Sequence, residues 1–164
     1  MDEKNCKGLI TKGAIQLDLE ADSKFDLLRS LCGLLFVGNK TENPSLLYQD
    51  IIKREEVVST FAGWQTAIPH AITKHISEPS LCFARVKDDD FTWNGSDEKV
   101  RFVFLLCAPV AEDLTKLRQS QSYVFSSVAQ LISQAEIIEI WERTTDEQVI
   151  LESLCGAFDA YQNN

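Results

Sequence analysis

The alternation of hydrophobic and polar positions in the first third of the chain predicts one strand and two helices. Residues 14–19 alternate between apolar and polar side chains, which favours a short strand. Apolar residues then recur at spacings of three and four, as on a helix with one buried face, and the polar pair 22–23 can cap that helix. Gly38 suits its end, and Asn43 with Pro44 suits the start of a second helix.

The remainder of the chain adds further strands and then helices. Residues 81–86 alternate as a strand does, and residues 100–107 form an almost continuous apolar run that ends at Pro109. Such a run is typical of a central strand buried on both faces. Three helices with apolar positions at helical period are predicted after it. Helices alternating with a few strands predict an α/β fold, a sheet covered by helices on both faces.

Length and composition suit one globular domain. The chain has 164 residues, of which 45% are hydrophobic and 25% charged. We expect a flexible N-terminal arm over residues 1–12 and a single domain over residues 13–164. The charged start is unlike a secretory signal, and the sequence has no long apolar run, so we expect a cytoplasmic protein without direct membrane insertion.

The charge balance narrows the class of partner. The formal net charge is −9, and no basic stripe is present, which argues against nucleic acid and against an anionic membrane surface. A protein partner with a positive face fits this charge, since opposite charges steer association. Solubility alone is the other explanation of the acidic balance.

The chain contains five cysteines, an odd count with wide spacing and no CxxC pair. We interpret them as free, buried thiols in a reducing compartment rather than a metal or redox site. They are Cys6, Cys32, Cys82, Cys107 and Cys155.

A proline followed by a histidine marks the candidate site. Pro69 fixes its own φ near about −65°, lacks an N–H donor, and restricts Ile68 before it to extended geometry. We therefore expect a strand-like segment to end here, with His70 on the turn or loop just beyond. A lone histidine after a proline is more often structural or merely exposed, so the motif needs its context.

Arg54 supplies that context, although alone it reads as a surface charge favoured at the end of a helix. Arg54 and Glu55 are followed by Ser-Thr at residues 59–60, by Gly63, and by Ala-Ile-Pro-His at residues 67–70. This pattern resembles the signature of the enzyme IIA components of the bacterial sugar phosphotransferase system, in the mannitol–fructose class. The resemblance runs over nearly the whole chain, from about residue 15 to residue 160.

The resemblance implies both a fold and a phosphotransferase chemistry. The fold is a mixed sheet of about five strands flanked by helices on both faces. His70 would accept a phosphoryl group from the carrier protein HPr and pass it to a cysteine of an enzyme IIB, with Arg54 contacting the group. A neutral imidazole is abundant near pH 7, and the forked guanidinium fits phosphate geometry. The resemblance implies no cofactor and no metal.

This chain departs from the commonest family pattern at two positions. Many members carry a second histidine before a leucine, where this chain has Asp113 before Leu114. Many have a small or polar residue six positions before the active histidine, where it has Trp64. His75 resembles the galactitol-type members, so the chain resembles that subgroup. There His75 would support phosphorylated His70 by a hydrogen bond, and the alternative is a histidine at the surface or at a strand edge.

Three functions are compatible with these observations. The first is a phosphocarrier for sugar uptake of the fructose, mannitol or galactitol type. The second is a regulatory phosphorylation switch of the same fold, which binds protein targets without sugar transport. The third is a protein that only binds partners, and the presence of both Arg54 and His70 counts against it.

Overall fold

The structure, a computed structural model, describes residues 6–162. Contacts group these residues into two compact units. One unit is Gly13–Val110, and the other comprises the described residues on either side of that range. The prediction of a single domain over residues 13–164 stays a prediction.

The Gly13–Val110 unit contains a mixed sheet of six strands. The strands are β1 (Ile15–Leu19), β2 (Phe61–Gly63), β3 (Thr66–Ala67), β4 (His70–Thr73), β5 (Ser80–Val86) and β6 (Phe102–Pro109). Their order is β1-β5-β6-β3-β2, with β4 also beside β6. Strand β6 runs antiparallel to β5 and parallel to both β3 and β4, while β1 is parallel to β5 and β2 is antiparallel to β3.

Two helices of this unit begin and end where the sequence predicts. Helix α1 is Lys24–Val37, and helix α2 is Pro44–Val57. The side chain of Ser23 accepts a hydrogen bond from the first turn of α1, and that of Asn43 does the same for α2, so each satisfies a backbone donor that the helix cannot. Gly38 caps the end of α1.

The core of this unit lies between the two helices and one face of the sheet. Burying each leucine or isoleucine side chain contributes about 1.5–3 kcal/mol. Every residue of β6 from Phe102 to Ala108 is buried, so the prediction of an interior strand is confirmed. The core residues on the helices are Leu27, Leu28, Leu31, Cys32, Leu35, Leu47 and Ile51.

The second unit is helical. It contains α3 (Leu114–Ile132), α4 (Ala135–Arg143) and α5 (Glu147–Gln162), as the sequence predicts three helices here, together with a 3-10 turn at Cys6–Gly8. The indole Nε1 of Trp141 in α4 donates to Ser153 Oγ in α5 at 2.9 Å. This bond satisfies the only polar atom of a fully buried side chain.

A disulfide joins the N-terminal segment to α5. Cys6 pairs with Cys155, and their Cα atoms are 5.0 Å apart. Cys6, Leu9 and Ile10 are buried, while residues 1–5 lie outside the described range, and the flexible arm over residues 1–12 stays a prediction. Apolar side chains this close to the start of the chain stay buried because burial outweighs the cost of ordering the segment.

The prediction of free thiols is therefore wrong for Cys6 and Cys155 and confirmed for Cys32, Cys82 and Cys107. The sequence gives no sign of the pairing because the two partners are 149 residues apart. Burial raises the pKa of the Cys32 thiol to about 12, which leaves it protonated and unreactive at neutral pH.

The fold class predicted from the sequence is confirmed: the chain is α/β, with a mixed sheet and flanking helices. The sheet has six strands rather than about five, because Pro69 divides the segment beside β6 into β3 and β4. Among residues 6–162, no helix is both long enough and apolar enough to cross a bilayer.

Candidate functional site

The candidate site lies where Ile68 and Pro69 interrupt the sheet. The amide of Ile68 donates to the Thr60 carbonyl at 3.0 Å, and the amide of Leu106 on β6 donates to the Pro69 carbonyl at 3.0 Å. His70 then pairs with Leu106 as the first residue of β4. The prediction that His70 lies on a turn or loop is thus wrong, because β6 continues past the proline and pairs with both sides of the break.

Contacts at both ring nitrogens orient the imidazole of His70. Nδ1 is 2.9 Å from the Ile68 carbonyl oxygen, and Nε2 is 3.1 Å from Nη2 of Arg54. A carbonyl only accepts hydrogen bonds and a guanidinium only donates them. Nδ1 therefore carries the proton, and Nε2 presents its lone pair on the side of Arg54.

Arg54 reaches this position from the last turn of α2. Its Nη1 donates to the Val58 carbonyl at 3.1 Å, which fixes the plane of the half-buried guanidinium. The expectation that the segment around Ile68 and His70 lies near Arg54 is confirmed.

The environment keeps His70 uncharged. Burial lowers the pKa of His70 below its ordinary 6.5, and the positive charge of Arg54 lowers it further, while the Ile68 carbonyl and Glu55 act in the opposite direction. At pH 7 the ring is therefore neutral and can act as a nucleophile.

Glu55, the neighbour of Arg54, is buried in a set of hydrogen bonds that sequence reasoning missed. Its carboxylate accepts from the Thr60 amide at 3.2 Å, the Thr60 hydroxyl at 2.6 Å and the Trp93 indole at 2.7 Å. Lys24 Nζ lies 3.6 Å from it. Glu55 and Thr60 both belong to the motif, and this is the signal of importance in the sequence, whereas Trp93 and Lys24 come from distant segments.

His75 lies elsewhere, in the turn after β4. Its amide donates to Thr73 Oγ1 at 3.0 Å, and its carbonyl accepts from Thr41 Oγ1 at 2.5 Å. The residue lines a cavity of about 540 Å³ together with Thr41 and Lys74, and His70 does not line that cavity. His75 therefore lies in a different part of the surface from the contact between His70 and Arg54, and its support of His70 stays a prediction.

Of the two positions that depart from the family pattern, one caps a helix and the other lies exposed in a hairpin. Asp113 is the N-cap of α3, and its side chain accepts from the Lys116 amide at 3.0 Å. Trp64 stands at the tip of the β2–β3 hairpin with φ 51°, and its side chain is 68% exposed. In the part of the chain that the structure describes, no group of three or more His, Cys, Asp or Glu residues could hold a metal ion.

A neutral imidazole nitrogen beside a guanidinium suits the transfer of a small anionic group. The nitrogen supplies the attacking lone pair, and the guanidinium supplies positive charge and two parallel donors for anionic oxygens. Both groups are half-buried, so they keep access to solvent and to a partner.

The chain resembles proteins of known family in both sequence and fold. The multiphosphoryl transfer protein 1 of Escherichia coli K12 is 28% identical over 152 residues, which cover 93% of this chain and 18% of that protein. The nitrogen regulatory protein IIA-Ntr of Neisseria meningitidis has the same fold, with a TM-score of 0.76, 24% identity, and 90% of this chain and 97% of that chain covered.

A second structure, the complex of enzyme IIAMTL and phosphorylated enzyme IIBMTL from Escherichia coli, matches with a TM-score of 0.70 and 21% identity, over 90% of this chain and 99% of that chain. Residues 8–155 match the family described as "Phosphoenolpyruvate-dependent sugar phosphotransferase system, EIIA 2". This match spans most of the sequence, so the chain belongs to that enzyme IIA family, whose members are phosphotransferase relay components.

Proposed function

We propose that this chain is a phosphocarrier that accepts a phosphoryl group on His70 from phospho-HPr and passes it to a cysteine of an enzyme IIB. The observation that carries the proposal is the 3.1 Å contact between Nε2 of His70 and Nη2 of Arg54. This contact places the lone pair of Nε2 next to the fixed positive charge of the guanidinium. No cofactor takes part in the step.

The transfer begins with attack of the Nε2 lone pair on phosphorus. The new Nε2–P bond forms as the N–P bond of the donor phosphohistidine breaks, and the electron pair of that bond returns to the donor imidazole. The proton on Nδ1 of His70 stays in its hydrogen bond to the Ile68 carbonyl throughout. In the second transfer, a cysteine thiolate of the partner attacks phosphorus. The S–P bond forms as the Nε2–P bond breaks, and the electron pair of that bond returns to Nε2, so His70 is again a neutral imidazole.

Arg54 stabilises the charge of the group in flight. Phosphoryl transfer passes through a loose transition state, with negative charge on three equatorial oxygens. The guanidinium is held by the Val58 carbonyl before the reaction, so little reorganisation is needed. On phosphorylation, we expect Arg54 to exchange its contact with Nε2 for contacts with the phosphoryl oxygens.

Enzyme IIB is the partner that the comparisons support best, because a protein of this fold was solved in complex with a phosphorylated enzyme IIB. HPr as donor follows from the family resemblance. For the sugar, His75 favours the galactitol-type subgroup. A panel of purified IIB proteins of fructose, mannitol and galactitol type tests this, since only the cognate IIB should remove the phosphoryl group rapidly.

A regulatory switch is the second candidate. A nitrogen regulatory protein has the same fold, although at 24% identity that likeness concerns the fold alone. The two functions differ in whether an enzyme IIB consumes the phosphorylated form. A phosphorylated chain that no IIB of the panel discharges would favour the regulatory function.

Labelling from phosphoenolpyruvate tests the proposal directly. The chain is incubated with enzyme I, HPr and labelled phosphoenolpyruvate, and the label is mapped by peptide. We expect acid-labile, base-stable label on His70 and none in His70→Ala. His75→Ala is the matched control, because the chain has two histidines. Label on the His70→Ala protein at the normal rate would rule the proposal out.

The same assay decides the role of His75. If His75 supports phosphorylated His70, His75→Ala should keep the label on His70 but transfer more slowly or lose the label sooner. Wild-type kinetics in His75→Ala would make it a surface histidine.

A further inference from the structure

A buried carboxylate beside the site has no part in the transfer step described above. Glu55 is 5% exposed and follows Arg54 in α2. Glutamate is rarely buried unless its oxygens are bound, because a buried charge without partners is costly. The hydrogen-bond partners of this carboxylate indicate which part of the chain it holds in place.

Both oxygens of Glu55 are bound, and Thr60 is held twice. Oε1 accepts from the Trp93 indole at 2.7 Å and from the Thr60 amide at 3.2 Å, and Oε2 accepts from the Thr60 hydroxyl at 2.6 Å. Lys24 Nζ lies 3.6 Å from Oε1 and supplies the opposite charge. The carboxylate thereby fixes the chain just before β2, the strand that begins at Phe61.

Thr60 is linked in turn to the imidazole of His70. The Thr60 carbonyl accepts from the Ile68 amide at 3.0 Å. The Ile68 carbonyl then accepts from Nδ1–H of His70 at 2.9 Å. Pro69 lies between them with its φ fixed by the ring, so the direction of the Ile68 carbonyl depends on how Ile68 is held.

We propose that Glu55 is a positioning residue that acts through Thr60 and Ile68 to fix the tautomer and the orientation of His70. With Thr60 in place, the Ile68 carbonyl faces Nδ1, and the lone pair of Nε2 faces Arg54. Glu55 does not contact the transferred group in this proposal. Its effect on rate rests on the proposed phosphocarrier function, whereas its effect on the tautomer does not.

Two substitutions at Glu55 separate positioning from bulk. Glu55→Ala removes every acceptor, so Thr60 loses both of its bonds to residue 55. Glu55→Gln keeps the size of the side chain and one acceptor oxygen. Nitrogen-15 NMR of the His70 ring should show one tautomer, with the proton on Nδ1, in the wild type. We expect a mixture in Glu55→Ala and partial recovery in Glu55→Gln.

Transfer kinetics give the second readout. The rate at saturating phospho-HPr should fall by about tenfold to a hundredfold in Glu55→Ala, since small misplacements of a reacting group cost this much. The phospho-HPr concentration that gives half the maximal rate should stay within about twofold, because Glu55 is buried and does not belong to the docking surface.

Asp50→Asn is the matched control. Asp50 lies on the same helix and its carboxylate also accepts from a threonine hydroxyl, that of Thr73 on β4, at 2.6 Å. The described bonds do not link it to Ile68. Both substitutions should lower stability, but Asp50→Asn should keep the wild-type tautomer and rate.

Thr60→Val decides the question if Glu55→Ala does not fold. It removes the 2.6 Å bond and keeps the backbone bond, so we expect a smaller change of tautomer and rate in the same direction. If the Glu55→Ala protein folds and shows the wild-type tautomer, the inference is overturned. If Glu55→Ala does not fold, a wild-type tautomer in Thr60→Val overturns it. Label that persists on His70→Ala would instead overturn the phosphocarrier function and leave the tautomer result standing.

Discussion

Arg54 contacts His70 because the end of α2 lies beside the start of β4. Arg54 comes from the last turn of α2, and His70 is the first residue of β4. Nη2 of Arg54 lies 3.1 Å from the neutral Nε2 of His70, and no carboxylate within residues 6–162 forms an ion pair with the guanidinium. Its charge is therefore available to an incoming anion.

Substitution of Arg54 should slow transfer far more than it destabilises the fold. Loss of one preorganised donor costs on the order of a hundredfold in rate, while a half-exposed arginine at a helix end contributes little to stability. Arg54→Lys should recover part of the rate, because an ammonium keeps the charge and loses the fork. Single-turnover transfer from phospho-HPr and urea unfolding measure the two effects.

Arg143→Ala is the control for that experiment, since Arg143 is an exposed arginine paired with Glu139 in α4. It should transfer at the wild-type rate. An Arg54→Ala protein with wild-type kinetics would leave the histidine assignment intact and remove the role of Arg54.

The lowered pKa of His70 gives a pH prediction with a defined sign. The folded pKa lies below the ordinary 6.5, so the unfolded chain binds more protons between these two values. The contribution to stability is therefore complete above about pH 6.5 and is lost as the pH falls through the folded pKa. The transfer rate should fall over the same range, as the lone pair is protonated. An NMR titration of His70 should give a midpoint below 6.5.

Arg54→Ala extends this test. The positive charge of Arg54 is one cause of the lowered pKa of His70, after burial, so its removal should raise the midpoint. A wild-type midpoint at or above 6.5 would contradict the description of the site.

At the scale of elements, local sequence signals located the helix ends well. The residues that start and end these helices act through bonds within a few residues of themselves, so the sequence alone predicts their roles. They are Ser23, Gly38, Asn43 and Pro44. The pairing register of the strands, by contrast, is not a local property. Whether His70 pairs with Leu106 or lies in a loop depends on a strand far along the chain, and the sequence alone does not reveal that pairing.

The β2–β3 hairpin illustrates the same limit. Trp64 and Gln65 both have positive φ, at 51° and 56°, although neither residue favours that conformation. The Gln65 carbonyl accepts from the amides of Arg101 at 2.7 Å and Phe102 at 3.0 Å. These distant bonds help to hold the turn, so its positions 64 and 65 do not need the glycine or asparagine that usually adopts positive φ.

Asp113 should matter for helix stability rather than for transfer. Its side chain caps α3, and replacing such a residue with alanine costs about 1 kcal/mol. Asp113→Ala should lower the free energy of unfolding by this amount and leave transfer nearly unchanged, while Asp113→Asn, which also caps, should be close to wild type. Urea unfolding and the labelling assay check both. Loss of transfer at unchanged stability would show that the position has a direct role in the chemistry.

At the scale of the whole molecule, contacts between distant segments decide what the sequence could not. The motif residues Arg54 and His70 were found from their spacing, but the partners of Glu55 include Trp93, which lies 38 residues away. The disulfide joins residues 149 positions apart. Such pairs become neighbours only when the chain folds, so composition and periodicity carry no trace of them.

The disulfide yields a prediction for the whole chain. Its closure restricts the unfolded chain over nearly its full length, and removing such a bond typically costs about 2–4 kcal/mol. Cys6→Ala and Cys155→Ala should each lower the free energy of unfolding by that amount. Because each substitution removes the same bond, the double variant should lose little more than the single ones, apart from the packing of the two sulfurs.

Thiol counting tests the pairing independently of stability. The chain has five cysteines, of which Cys32, Cys82 and Cys107 are free and buried. Denatured protein that has never met a reductant should therefore react with a thiol reagent at three sites, and reduced protein at five. Under reducing conditions the free energy of unfolding of the wild type should fall, because the disulfide is broken. Its difference from that of the cysteine variants should therefore shrink. Five reactive thiols without reduction, or fully additive losses in the double variant, would show that Cys6 and Cys155 are not joined.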